Sequence, residues 1–257
     1  MKRLAFWVGI LLMLSPLLFA KFESGDYKTI KVQSGENIDS VVTKYLKSAH
    51  FKADLLRYNN LSAQQVTTGM LLKIPYSISN ERTANIKFLK GRVDKKSDES
   101  SWIKVRRIGE FLMQNDMLKT GANAKVEVRF DDGSLMQMGK NSLVSLKEYK
   151  YSKNMKSADI NLKNGSLFAK VNRLRKNSTF QVSTVTSVVG VRGTQFFVEI
   201  DKNNNVKVEV YHGEVEVSGS GGSKVFVKTG FQTKVASGEV PDKPKQISTP
   251  RKIEWGR

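Results

Sequence analysis

The second half of the chain alternates apolar and polar residues with a period of two. Three stretches show this most clearly: "VEVRFDDGSLMQM" at 126–138, "ADINLKNGSLFAKV" at 158–171 and "VKVEVYHGEVEV" at 206–217. Each carries a glycine where a turn is expected. Short alternating strands separated by turn residues are typical of all-β folds. Residues 101–236 are therefore predicted to form a mainly antiparallel all-β domain, built as a roll or sandwich.

The third stretch predicts its own register. If His212 and Gly213 form a two-residue hairpin loop, Val210 lies opposite Val215, so the valines of both strands share one face and the glutamates share the other. Histidine tolerates the left-handed conformation better than most residues. His212 is therefore interpreted as a turn residue, and the other two stretches are predicted to be hairpins on similar grounds.

A glycine-rich bend interrupts the strand-forming run "SVVGVRGTQFFVEI" at 187–200. Gly190 and Gly193 are predicted to let the chain bend where a Cβ atom would clash. Arg192 is suited to hold the bend by hydrogen bonds, and Thr194 begins the next inward-facing alternation. A basic Gly-X-X-Gly loop grips nucleic acid in KH domains, but there it joins helices. The motif is interpreted as a corner of the β domain.

Residues 28–76 form a smaller unit with a different periodicity. A strand at 29–32 precedes Asn37, a good helix N-cap, and a second helix is predicted at 53–59. A final strand ends at Pro75. The order is β-α-α-β, a small α+β domain. The first helix has an apolar stripe formed by Ile38, Val41, Val42, Tyr45 and Leu46.

This unit resembles a LysM domain. The matching segments are "IKVQSGENI" at 30–38, "VVTKYL" at 41–46, "ADLLRYNNL" at 53–61 and "VTTGMLLKIP" at 66–75. The resemblance implies binding of peptidoglycan or another glycan that contains N-acetylglucosamine, in a shallow groove between two loops. Carried onto this chain, the groove residues are Gly35, Glu36, Asn37 and Ile38 of the first loop, and Asn60, Leu61, Gly69 and Met70 of the second.

The β domain resembles a FecR domain. The similarity rests on "LKTGANAKVEVRFDDGSLMQMGKNSLVSL" at 118–146, on the run at 180–200, and on "VKVEVYHGEVEVSG" at 206–219 and "VFVKTGFQTKV" at 225–235. FecR domains are extracytoplasmic and mostly β, and some belong to iron-uptake signal transducers whose cytoplasmic segment contacts a sigma factor. Only three residues precede the apolar run here, so that transducer role is not expected.

The N-terminus predicts export to a bacterial periplasm or cell envelope. Lys2 and Arg3 precede an uncharged run at 4–20, which indicates a signal peptide over residues 1–20. An uncleaved anchor is the alternative, and membrane association is expected only in that case. The absence of cysteine excludes disulfides, thiolate metal sites and a lipoprotein anchor. The net charge of +19 is spread along the chain, which favours a solvated basic surface over a nucleic-acid partner.

The remaining segments carry no recognisable chemistry. Neither His50 nor His212 lies in a catalytic motif, and no phosphate-binding loop is present. A non-enzymatic protein without cofactor or metal is expected, one that binds peptidoglycan and scaffolds or senses through an envelope protein partner. The alternatives are a signalling component that acts by protein contact at the inner membrane and, less favoured, a glycan hydrolase with two carboxylates.

Two further features concern the chain outside the predicted strands. Residues 77–100 are polar and predicted to be a linker. The alternative is that "ANIKFLKGRV" at 84–93 forms the first strand of the β domain. Residues 237–257 form a basic tail that contains proline, in which Ile253 and Trp255 are apolar enough to dock on a surface. Phe197 is an apolar exception on an outer face, so it is expected to be covered by another element or to form a contact surface.

Overall fold

The computed structural model describes most of the chain after the predicted signal peptide. Among the described residues, no helix is both long and apolar enough to cross a membrane. The predicted signal peptide and Arg192 lie outside the described residues, which are 27–97, 100–151, 156–173, 178–191 and 193–256.

The N-terminal unit is a two-stranded antiparallel sheet packed against two helices. Its elements are β1 (Tyr27–Lys31), α1 (Ile38–Tyr45), α2 (Lys52–Tyr58) and β2 (Leu71–Pro75), with single 3₁₀ turns at Ala49–Phe51 and Ala63–Gln65. The helix α1 begins where Asn37 caps it, because its Oδ1 accepts from the backbone N–H groups of Asp39 and Ser40, both at 3.0 Å. The small core consists of Val32, Ile38, Val41, Val42, Leu46, Leu55, Val66, Leu72, Ile74 and Ile78.

The rest of the described chain is almost entirely strand. In chain order the strands are β3 (Arg82–Lys90), β4 (Val93–Lys96), β5 (Ile103–Lys104), β6 (Phe111–Met113), β7 (Met117–Thr120), β8 (Lys125–Phe130), β9 (Leu135–Met138), β10 (Leu143–Tyr151), β11 (Lys156–Lys170), β12 (Thr179–Ser183), β13 (Val188–Val191), β14 (Gln195–Ile200), β15 (Val206–His212), β16 (Glu214–Ser218), β17 (Lys224–Lys228), β18 (Phe231–Val235) and β19 (Lys245–Gln246). A single 3₁₀ turn at Ser220–Gly222 precedes β17.

These strands form two sheets that enclose one hydrophobic core. Sheet I has the order β6-β3-β8-β9-β11-β14-β15-β18-β19. Sheet II has the order β5-β4-β7-β10-β11-β12-β13-β16-β17. Among the described strands the pairs are antiparallel apart from β11 with β12. The prediction of a mainly antiparallel β domain is confirmed, and the buried side chains of both sheets form one cluster.

One of the three predicted hairpins is confirmed. Strands β8 and β9 pair directly, with Val128 opposite Met136, across a turn at 131–134. In that turn the Asp132 carboxylate accepts from the backbone N–H of Ser134 at 3.0 Å. A side chain that bonds its own backbone two residues on stabilises a tight turn.

The other two predicted hairpins are wrong, because the chain changes sheet at the glycine instead of folding back. Gly165 lies inside the single long strand β11, whose first half pairs in sheet II and whose second half pairs in sheet I. Gly213 separates β15 in sheet I from β16 in sheet II. Both glycines have φ of +81°, so each allows a sharp change of direction. The valines Val210 and Val215 are buried as predicted, but they face the core from separate sheets.

The predicted linker at 77–100 is wrong over most of its length. Strand β3 pairs with β8 near the centre of the fold, and its residues Ala84 and Ile86 are fully buried. The polar residues of this segment alternate with small or apolar ones, so the mean polarity hides a strand that faces the core on one side. The β domain therefore begins at Arg82 and not at 101.

Candidate functional site

Pairing of β1 with β2 brings the two loops of the predicted glycan groove together. The backbone N–H of Val32 donates to Met70 O at 2.9 Å, and Gly69 N–H donates to Val32 O at 2.8 Å. The hydroxyl of Thr68 approaches the carbonyl of Gln33 at 3.4 Å. The first loop, residues 35–38, follows the end of β1, and the second loop, residues 60–70, precedes the start of β2. These hydrogen bonds between the two strand ends therefore bring the loops next to each other.

Three of the first-loop residues stabilise the fold of the N-terminal unit. The Glu36 carboxylate accepts from Lys44 Nζ at 2.8 Å and from the Gln33 N–H at 2.9 Å, and these hydrogen bonds lower the pKa of Glu36. Asn37 caps α1, and Ile38 is buried in the small core. Gly35 is exposed with φ of +78°. The first loop therefore offers a ligand mainly backbone groups.

The second loop adds two partly exposed apolar side chains. Leu61 and Met70 pack against the small core while remaining half-buried. Asn60 is exposed with φ of +55°, and Gly69 is exposed with φ of +86°. Backbone groups beside apolar side chains can bind the polar edges and apolar faces of sugar rings. Sequence reasoning did not single out Thr68, although it lies in the second loop and approaches the first loop.

The Gly-Val-Arg-Gly motif forms a corner where the chain passes from β13 in sheet II to β14 in sheet I. Gly193 has φ of +73°, and a Cβ atom there would lie 2.9 Å from Arg173 Cα. Gly190 differs, because a Cβ atom there would meet nothing closer than 3.8 Å, so the steric reason predicted for this glycine is wrong. Thr194 is buried, and its hydroxyl has no hydrogen-bond partner in the described part of the chain.

A second candidate surface lies on the outer face of sheet I. Five residues on five adjacent strands are direct cross-strand neighbours and form a continuous row. We call this the acidic–aromatic row; it consists of Glu127, Gln137, Phe168, Phe197 and Glu209. The segment 247–256, which we call the C-terminal strap, runs along this row and contacts all five of its residues.

The strap is anchored at one end by Arg251. Its Nε donates to Glu209 Oε2 at 3.0 Å and its Nη2 donates to Glu199 Oε2 at 2.9 Å. The guanidinium carbon lies 4.0 Å from the centroid of the Phe197 ring. A cation stacked on an aromatic face and paired with carboxylates makes a specific anchor. Phe197, the apolar exception of the sequence, is therefore covered.

The other end of the strap is anchored by Trp255 and its neighbours. The Trp255 and Phe168 ring centroids are 5.3 Å apart. The Gly256 N–H donates to Glu127 Oε2 at 2.9 Å. The carbonyl of Glu254 accepts from Lys125 Nζ and Gln137 Nε2, both at 2.9 Å. The predicted docking of Trp255 is thus observed, and its surface is the acidic–aromatic row.

The charges around Glu209 favour its ionised form. Burial raises the pKa of this carboxyl, but the hydrogen bonds from Tyr211 and Lys207 and the charge of Arg251 outweigh burial and lower it below its usual value. Burial and the bond to Glu209 raise the pKa of Tyr211 to about 12. The charged or titratable groups near Glu209 are Lys207, Tyr211, Glu199, Arg251 and, on the neighbouring strand β18, Lys234.

Acid is expected to release the strap. A carboxyl whose pKa is lowered on folding stabilises the fold above its unfolded pKa of about 4.3, and that contribution is lost as the pH falls through the folded value. In a Trp7→Phe, Trp102→Phe background, Trp255 is the one remaining tryptophan of the sequence, and its emission should shift to the red below about pH 4. Glu209→Gln should shift it already at pH 7, and a transition centred near neutral pH would contradict this assignment.

Within the described ranges, no three residues of the types His, Cys, Asp and Glu cluster to hold a metal ion. The carboxylates of Glu199 and Glu209 both bind Arg251. A glycosidase acid needs a raised pKa, whereas that of Glu209 is lowered.

Comparison with known proteins identifies a family similarity within the β domain. Residues 116–216 match the family model described as FecR protein, which extends from just before β7 into β16. This segment is FecR-like. No curated protein matches the chain.

Two solved structures align with this chain. They are crystal structures, at 2.50 Å and 1.65 Å resolution, of a protein from Parabacteroides distasonis ATCC 8503 described as a candidate anti-sigma factor. The TM-scores are 0.43 and 0.42, each at 19% sequence identity. Each alignment covers 51% of this chain and 59% of the other, so this chain spans about three fifths of that protein's length.

Proposed function

We propose that this protein is an exported, non-enzymatic component of the bacterial cell envelope with two binding functions. The N-terminal unit binds peptidoglycan or a related N-acetylglucosamine glycan, and the FecR-like β domain contacts a partner protein. The observation that carries the glycan proposal is the junction of the two loops at Val32, Gly69 and Met70. The resemblance of this unit to LysM domains supports a glycan site between these loops.

Filling the junction is expected to abolish glycan binding. Thr68 is exposed at the meeting point of the loops, so Thr68→Trp places a bulky ring where the sugar would lie. We expect the dissociation constant for insoluble peptidoglycan, measured by co-sedimentation, to rise at least about tenfold, or ~1.4 kcal/mol.

The matched control is Thr43→Trp. Thr43 is exposed on the second turn of α1, outside both loops, and receives the same bulky ring. It should sediment with peptidoglycan like the unaltered protein. Equal binding by both variants would refute the location of the groove, and failure of the unaltered protein to sediment would refute the glycan proposal.

The FecR-like match also favours a signalling role, in which the β domain acts by protein contact at the inner membrane. Such a component would retain its N-terminal apolar segment as an anchor. The mass of the native protein separates the two candidates, because a first residue at Lys21 means a released protein.

A further inference from the structure

The C-terminal strap is held on the β domain at a few points and is not packed into it. The strand β19, which precedes the strap, pairs with β18 over two residues, after which the Ile247 N–H donates to Gly230 O at 2.8 Å. Of the ten strap residues, seven are exposed, and Ile247, Ile253 and Trp255 are half-buried. A segment with so little buried surface has a low free energy of local opening.

The strap also leaves space beneath it. Residues 247–251 line a pocket of about 470 Å³ that is open to solvent, together with Lys207, Glu209, Gln232 and Lys234. The strap therefore does not fill the surface that it covers. A segment with larger side chains at the positions of residues 248–250 would gain contacts that the strap lacks.

The surface under the strap has the character of a binding site. Phe168 and Phe197 are adjacent cross-strand partners, 5% and 7% exposed, and Glu127 and Glu209 flank them, each 3% exposed. Without the strap, two phenylalanine rings would face solvent side by side between two carboxylates. Apolar surface rimmed by charge marks an interaction site.

The chemistry of the strap defines what this surface accepts. An arginine pairs with carboxylates and stacks on one ring, and a tryptophan four residues later packs on the next ring. Arg251 contacts Glu209 on β15 and Phe197 on β14, and Trp255 packs on Phe168 of β11. The two side chains together therefore contact three adjacent strands of the row.

We propose that the acidic–aromatic row is a peptide-binding surface, and that the C-terminal strap occupies it until a partner protein displaces the strap. The partner contributes an extended segment with an arginine and an aromatic residue four positions later. This inference deepens the protein-contact half of the proposed function. It is tested without glycan, so its failure leaves the glycan proposal standing.

Peptide binding to a strap-released protein tests the proposal. The double variant Arg251→Ala, Trp255→Ala of the full chain removes both anchors and leaves the row intact. A fluorescent peptide with the sequence of residues 245–256, KQISTPRKIEWG, should bind it at least about tenfold more tightly than it binds the unaltered protein, because a tethered competitor acts at an effective concentration near millimolar. Fluorescence anisotropy measures both affinities.

Matched substitutions locate the site. In the strap-released background, Glu209→Gln should weaken peptide binding at least about tenfold. Glu216→Gln should leave it unchanged, because Glu216 lies on sheet II and pairs with Lys224. Equal peptide affinity of the double variant and the unaltered protein, or an unchanged affinity after Glu209→Gln, would overturn the proposal.

A measurement on the unaltered protein covers the case in which the double variant does not fold. Excess unlabelled peptide should displace the strap and speed hydrogen exchange at the Gly256 amide, which Glu127 otherwise protects. Exchange at amides of β14 should not change. If the peptide leaves Gly256 protected at millimolar concentration, the proposal fails.

Discussion

Gly165→Ala is expected to be among the most destabilising single substitutions in the β domain. Gly165 has φ of +81°, and a Cβ atom there would lie 2.6 Å from Ser142 Cα and 2.8 Å from Asn141 O, and would also clash with Ser142 Oγ. Backbone atoms cannot yield as side-chain ends can. We expect a loss of more than about 3 kcal/mol, which lowers the melting temperature by roughly 6–12 °C. Thermal unfolding followed by circular dichroism measures the shift.

Gly238→Ala is the matched control for this substitution. Gly238 has nearly the same backbone conformation, with φ of +82°, but a Cβ atom there would meet nothing within 4 Å. Its cost should be only the strain of a left-handed alanine, roughly 1–2 kcal/mol. A similar loss at both positions would mean that the close approach of Asn141 and Ser142 to Gly165 does not constrain the fold.

Gly165 illustrates which features of the fold could be predicted from the sequence and which could not. Lys163, Asn164 and Gly165 do mark a backbone irregularity, but a hairpin and a change of sheet need the same left-handed residue. A hairpin and a change of sheet also both place alternate residues in the core, so the alternating pattern around Gly165 is compatible with either arrangement. The turn before Ser134 was predictable as a hairpin, and there the side chain of Asp132 stabilises a local turn. Partners contributed by distant strands decide the other cases.

The candidate surfaces differ in the same way. Asn37 and Gly69 could be placed from the sequence because caps and turns are local signals. Phe197 and Trp255 were each recognisable as apolar outliers, yet their partners Arg251 and Phe168 lie 54 and 87 positions away along the chain, and periodicity does not pair such distant residues. The strand β3 was recognisable only as an alternative to a linker, because its buried positions include the small Ala84 and the polar Thr83. Local chemistry was predictable, whereas contacts set by the topology of the sheets were not.

Asp131→Ala is expected to uncouple the N-terminal unit from the β domain. Asp131, in the turn between β8 and β9, accepts from Lys47, two residues after α1, and from Arg82 at 2.6 and 3.1 Å. Its side chain is 11% exposed. Removing one partner of a largely buried ion pair leaves the other charges uncompensated, so we expect a loss of about 2–4 kcal/mol. In differential scanning calorimetry, the variant should unfold in two separate transitions.

Hydrogen bonds from the segment between the two units strengthen this coupling. Asn80 N–H donates to Tyr45 O at 2.9 Å and Lys47 N–H donates to Ile78 O at 3.1 Å, so hydrogen bonds hold the chain to α1 almost until β3 begins. Burial lowers the pKa of Lys47 despite the opposing hydrogen bond to Asp131. Without that carboxylate, the charged form of Lys47 would lose the interaction that opposes the effect of burial.

The control for the uncoupling is Asp94→Ala. Asp94 is nearly as buried, with 13% of its side chain exposed, but it pairs with Arg92 within one domain. It should cost about 1 kcal/mol or less and leave the calorimetric profile unsplit. If Asp131→Ala behaves like Asp94→Ala, the ion pairs do not couple the units. If it splits the transition, Asp131 couples the unfolding of the N-terminal unit to that of the β domain, because it connects Lys47 to the turn before β9.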